Sequence, residues 1–404
     1  MTTATTTKPY TIISADGHAG ANLDTYREYV PSSHHDPFDD WRGAYKNPFR
    51  DLQGGTRERN WNDERRVGEL EADGIVAEVI FPNTVPPFFP TGALVARPPS
   101  RDDLELRWIG LHAHNRWLAD WCALRPERRA GIAQIFLNDV DRAIEEVCFA
   151  KEHGLRGGIL LPGIPPDLQH EIKMYADPCY EPLWQVCEDL EVVVNHHSGN
   201  GAPDYGSYPS SGLLWMVETS FFSHRAFWHL ILAGVFERYP SLQFVITETG
   251  MGWIPETLAQ LDMFHAQMAA GRVGELGFAA DARTLRAPSE YWEQNCFVGV
   301  SFPGPREARA IDALGAHKVM WGGDYPHHEG TYPYSKESLR LAFAERDEAT
   351  LRAVLGENAA RVYGFDLPTL DVLAASCGPT PEEVCAPLDS VPKGATSPAF
   401  YGRF

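Results

Sequence analysis

Residues 318–328 read KVMWGGDYPHH. Val319, Met320 and Trp321 are apolar on consecutive positions, the pattern of a strand buried on both faces of a parallel sheet. Gly322 and Gly323 end the run, and Asp324, His327 and His328 follow at once. The same layout recurs upstream, in runs at 10–15, 75–81, 131–137, 158–161, 192–194, 242–247 and 297–301, each closed by a polar or Gly/Pro cluster. With 318–321 they make eight. Helical patterns lie between them at 103–124, 140–153, 182–189, 221–238, 255–267, 305–314 and 336–345, some behind a capping residue such as Asp139 or Asp177. Strands alternating with helices build right-handed βαβ units. The count of eight predicts a closed (β/α)8 TIM barrel rather than an open doubly wound sheet.

Three connections exceed ordinary βα loops, at 19–61, 199–217 and 267–291. Insertions of this kind shape substrate pockets at the C-terminal mouth of a barrel. The expected organisation is therefore a barrel over 1–366 and a C-terminal tail over 367–404. That tail is rich in Pro, Ser, Gly and Ala, and its Phe400, Tyr401 and Phe404 suggest an arm docked on a neighbouring subunit.

With 35 basic and 55 acidic side chains among 404 residues, the formal charge is −20. That argues against nucleic acid and against an anionic membrane surface, both of which select basic patches. No run of 18 apolar residues occurs and the N-terminus carries no apolar targeting segment. The seven cysteines contain no C-x-x-C pair, which reads as reduced thiols in a cytoplasmic protein.

Functional groups of a barrel sit where its strands end. Those ends carry Asp16 and His18, His196 and His197, Glu248, and Asp324 with His327 and His328. Asp16 and His18 are two residues apart, so both side chains face one side of a strand. Imidazole nitrogens with carboxylate oxygens are ligands for zinc, manganese or iron. Asp16, His18, one of His196 and His197, and Asp324 would form a four-ligand N/O site with room for water.

The segments ISADGH, HHSG, FFSHRAFWHLILAGVFERYPSLQFVITETGMGWIPETL, WGGDYPHHEGTYPYS and ENAARVYGFD resemble, in order, the amidohydrolase-related branch of the amidohydrolase superfamily. That branch includes aminocarboxymuconate-semialdehyde and resorcylate decarboxylases. The resemblance implies a metal-bearing barrel, commonly oligomeric, that acts on a small molecule. It implies metal ligation by Asp16, His18, His197 and Asp324, with zinc the first expectation and manganese or iron the alternatives. One departure stands out. Where the decarboxylases carry H-x-G after strand six, this chain has Glu248-Thr249-Gly250.

The leading functional expectation is a hydrolase using a metal-activated water, with Asp324 taking a proton and Glu248 or His224 delivering it. Arg225 and His327 are candidate substrate contacts, Arg225 because guanidinium pairs bidentately with carboxylate. Each has a plainer reading: His224 packing its helix, Arg225 in a salt bridge, His327 on the surface. Three alternatives accompany the hydrolase. One is a non-oxidative decarboxylase. Another is a dinuclear iron or iron–manganese oxygenase, since nine potential ligands exceed the needs of one metal. The last is a silent barrel partnering an active paralogue, in a homo- or hetero-oligomer.

Overall fold

The computed structural model describes residues 8–48, 52–83, 85–91, 97–279 and 283–401. Its eight principal strands are β1 (Ile12–Ala19), β2 (Ile75–Pro82), β3 (Arg129–Gln134), β4 (Gly158–Leu160), β5 (Val194–His197), β6 (Phe244–Thr247), β7 (Cys296–Ser301) and β8 (Val319–Gly322). They pair in chain order, all parallel. The ring closes through loop backbone rather than a full ladder. Asp324 N donates to Asp16 O at 2.9 Å and His18 N to Tyr325 O at 2.7 Å. Gly323 N donates to Ser14 Oγ at 2.9 Å. The chain is a (β/α)8 barrel, as the run pattern predicts.

Both faces of the strands are covered, which explains their continuous apolar runs. Ile13, Ala15, Val79, Phe81, Ile132, Val193, Val245, Phe297 and Met320 form one cluster with residues of the C-terminal helices. Ile12, Ile75, Val194, Phe244, Ile246, Val298, Val319 and Trp321 belong to another, with the surrounding helices.

Helices form at all seven expected places. The expected helix over 221–238 begins ten residues earlier, at Ser211, because the end of the second insertion continues its pattern. It stops at Leu232, and Gly234 at φ 67° separates it from Val235–Arg238. Asp63–Ala72, His35–Ala44, Pro288–Asn295 and Leu367–Cys377 escape the sequence pattern. Asp63–Ala72 buries only Arg66 and Leu70, so its periodicity is faint; Asn62 caps it by accepting from Arg65 N.

Described parts of the segment after 366 pack on the chain's own barrel. Pro381–Cys385 and Pro398–Phe400 lie against Ser335–Phe343. Phe400 is buried, and Thr396 Oγ1 donates to His328 O at 2.7 Å. Tyr401 is exposed and Phe404 lies outside the described residues. All seven cysteines are free thiols. Among the described residues, no helix is long and apolar enough to cross a membrane.

Candidate metal centre

At the mouth of the barrel, a register shift in β1 between Ser14 and Gly17 re-aims the strand. Ile13 and Ala15 point into the apolar cluster, and the bulge lets Asp16 and His18 take over the inward direction. Asp324 follows β8 in the left-handed region at φ 58°. Glu248 does the same after β6 at φ 57°, a rare conformation for glutamate. Such backbone persists where surrounding bonds over-determine it. Here Asp324 N is tied to Asp16 O and Glu248 N to Gly299 O at 3.1 Å.

The side chains converge. His18 Nε2 stands 3.2 Å from Asp16 Oδ1 and 3.3 Å from Asp324 Oδ1. His197 Nε2 is 3.4 Å from Asp16 Oδ1. Asp16, His18 and His197 offer ligand atoms within 4.8 Å of one another, as do His18, Asp324 and His327. Ligand bonds of roughly 2.0–2.2 Å set neighbouring donor atoms about 3–3.5 Å apart, so these separations match those a coordination polyhedron would need.

Tautomers point the same way. His18 Nδ1 faces Pro82 O at 3.2 Å and His197 Nδ1 faces Ser198 O at 3.2 Å. Donation to those carbonyls leaves each Nε2 lone pair directed at carboxylates, an arrangement that asks for a cation between them. His18 Nε2 and Asp324 Oδ2 are buried without a hydrogen-bond partner. Asp16 Oδ2 is held by Ser301 Oγ. The donor set, its spacing and its orphaned atoms fit a divalent ion.

The same carboxylates and imidazoles also shift one another's ionisation. Burial works against ionisation of Asp16, yet His18 and His197 hold its carboxyl well below the usual range. Burial likewise disfavours His18 as a cation, but Asp16 and Asp324 raise it well above its ordinary value. Asp324 is lowered by His327 and His18 against the effect of burial. Glu248 goes the other way: burial and the charges of Asp324 and Asp16 raise it. Its Oε2 accepts from Ser198 Oγ at 2.5 Å and lies 3.5 Å from His197 Nδ1.

The cluster opens into a cavity of about 530 Å³, with His18, His197, Glu248 and His327 in its lining. His327 stacks on His18 at 4.1 Å and donates from Nδ1 to Asp324 Oδ1 at 2.7 Å. His196 points elsewhere; its Nδ1 faces Leu161 O at 2.9 Å, and burial pushes the ring down to about 4. His224 and Arg225 do not line the cavity. His224 lies within the long helix, not at its start, with Nε2 donating to Thr249 O at 3.1 Å and its ring stacked on Trp253 at 3.8 Å. Arg225 lies over Phe222.

Sequence reading misses Asn83, Arg97 and Glu329, which line the cavity from loops. Glu329 also joins Glu248 and Asp324 in a third group of close ligand atoms. Glu329, five residues after Asp324, falls within the WGGDYPHHEGTYPYS segment.

The amidohydrolase profile matches residues 32–365. A gamma-resorcylate decarboxylase from a Rhizobium species is 24% identical over 311 residues, covering 75% of this chain and 87% of the relative. The 2-amino-3-carboxymuconate-6-semialdehyde decarboxylase of Dictyostelium discoideum is 27% identical over 312 residues, 76% of this chain and 77% of its own. Among solved structures, a dihydroxybenzoic acid decarboxylase from a Polaromonas species, with bound manganese and 2-nitroresorcinol, superposes with a TM-score of 0.61 at 18% identity. It covers 88% of this chain and 97% of the other, a likeness of fold.

Proposed function

This chain belongs to the amidohydrolase family of metal-dependent enzymes, and we propose that within it the protein is a non-oxidative decarboxylase of an aromatic or unsaturated carboxylic acid. This reading replaces hydrolysis as first choice. The observation that carries it is Glu248. It is the carboxyl at the end of β6, lining the cavity beside the proposed ligand set, with Ser198 Oγ donating to its Oε2 at 2.5 Å, a position from which it can hand a proton to an acid bound there. A decarboxylase needs a proton donor at the carbon that loses carbon dioxide; a hydrolase needs a base on water.

In this reading Asp16, His18, His197 and Asp324 hold one divalent ion. Manganese is now placed ahead of zinc, because a similar fold carries it. When bound there, such an ion would supply positive charge that favours binding of the substrate carboxylate. Glu248 gives its proton to the carbon bearing the carboxylate, the carbon–carboxylate bond breaks, and its electron pair returns to the ring or alkene. One proton is consumed and one carbon dioxide leaves. Ser198, bonded to Glu248, orients the carboxyl; His327, bonded to Asp324, orients that ligand.

The test is turnover of 2,6-dihydroxybenzoate and related acids in deuterated water by the manganese-loaded protein. Carbon dioxide release with one deuterium at the vacated carbon is expected. No carbon dioxide from any of these acids, together with cleavage of an ester or amide that places labelled oxygen from 18O water in the product, would restore the hydrolase. One observation favours a second reading, a dinuclear iron or iron–manganese oxygenase: Glu248, Asp324 and Glu329 form a further close group that shares Asp324 with the first. Two iron atoms per chain and oxygen consumption would establish it.

A homo-oligomer is part of the proposal. Leu213, Met216, Val217 and Phe221 form an exposed apolar row along one face of Ser211–Leu232. Contiguous exposed patches of this kind mark interaction surfaces.

A further inference from the structure

The cavity is graded from floor to rim. His18 is all but sealed at its floor, whereas the Arg97 side chain is one-third exposed. Between them the wall is apolar, with Phe89, Ile135, Phe136 and Leu160. Among the described residues lining the cavity, Arg97 is the only arginine or lysine, set against Glu248, Asp204 and Glu329.

Arg97 sits on a built support. Arg107, fully buried, donates from Nη2 to Arg97 O at 3.0 Å. Its guanidinium lies 3.8 Å above the Phe89 ring and 5.5 Å above that of Phe136, so one buried cation braces both the aromatic wall and the Arg97 backbone. Gly110 on the same helix permits the close approach, since a Cβ there would meet Pro87 O at 1.9 Å.

The guanidinium itself is underused. Nη2 donates to Asp167 Oδ2 at 2.6 Å, and Nη1 is buried with no hydrogen-bond partner. Asp167 is also partly exposed, and such an ion pair is a weak tether that a better anion displaces. Guanidinium favours planar oxyanions, which it grips with two parallel bonds. A cavity of about 530 Å³ is of the size that holds drug-sized ligands, so a single-ring acid leaves much of it to water.

We propose that Arg97 is the recognition point for a second anionic group. On this view the substrates are acids with an extended apolar body, one carboxylate at the metal-binding floor and another oxyanion at the rim. The inference rests on the decarboxylase reading for the role of the floor and deepens it by naming the substrate class.

Calorimetric titration of the full-length, manganese-loaded protein tests it. The probes are 2-hydroxybenzoates bearing an ω-carboxyalkyl chain of graded length, paired with the matching ω-methyl compounds. For the best-fitting length, the diacid is expected to bind about tenfold more tightly than its methyl partner. Arg97→Gln should erase that ratio while leaving the ω-methyl affinity and the metal content unchanged. Asp167→Asn, which removes the competing carboxylate, should enlarge it, and this second variant serves should the first fold poorly. A ratio near one at every length in the wild type, or a ratio retained in Arg97→Gln, overturns the proposal. Whether ω-methyl binding needs the metal is read separately: metal-independent binding would sink the role of the floor without touching the ratio.

Discussion

Asp324 does two jobs through one left-handed backbone: its N–H closes the barrel on Asp16 O while its carboxyl faces His18. Gly322, just before it, leaves no room for a side chain. A Cβ there would stand 2.5 Å from that of Asp16. Gly322→Ala should therefore destabilise the protein by roughly 1–3 kcal/mol and lower its metal content, measured by urea unfolding and by elemental analysis. Glu248→Gln keeps the shape and the bond from Ser198 but removes the proton. Turnover should fall by about 10²–10⁴-fold with metal content unchanged; unaltered turnover would remove Glu248 from the chemistry. At this scale the sequence is legible where residues end a strand. Asp16, His18, His197, Glu248 and Asp324 stand out because apolar runs stop at them. Arg97, Asn83 and Glu329 do not, because loop backbone follows no period that would aim a side chain.

Among the elements, the strands were the readable part, since burial on both faces writes each as an apolar run. Helices anchored by charge were not. The helix Asp63–Ala72 is held through Arg66, whose guanidinium pairs with Glu78 and donates to His18 O at 2.8 Å. Asp73, just past its end, accepts from Ser335 N at 3.0 and 3.2 Å and ties the helix to Ser335–Phe343. Burial holds this carboxyl at about 6, above its ordinary 3.8, in spite of the bonds from Ser335. The native state thus keeps a proton that the unfolded chain has lost. Stability should decline as pH rises from about 4 to about 6 and then level off, the total being roughly 2–3 kcal/mol. Asp73→Asn should match the wild type near pH 4 and exceed it at pH 8, in urea unfolding of the metal-stripped protein. Equal stabilities at pH 8 would refute this.

For the whole molecule, the barrel was legible from the count of eight runs, and the packing of the tail was not, because which surface a Pro-rich segment covers is a tertiary choice. In the proposed homo-oligomer, the exposed row on Ser211–Leu232 is the expected contact. Val217→Asp should turn an oligomer into a monomer, read by light scattering; a wild type already monomeric at micromolar concentration would sink that expectation. The closure between β1 and β8 has a consequence of another kind, in biogenesis. Asp16 and His18 leave the ribosome some three hundred residues before Asp324. The bonds that bring them together form only once the eighth strand is available. A nascent chain therefore carries an incomplete proposed ligand set until residue 324 has emerged, and a truncated product that reaches only β7 lacks Asp324 altogether. On the proposed ligand set, full metal binding waits for residue 324, and a fragment that stops short of it has no complete set with which to withdraw metal from the cell.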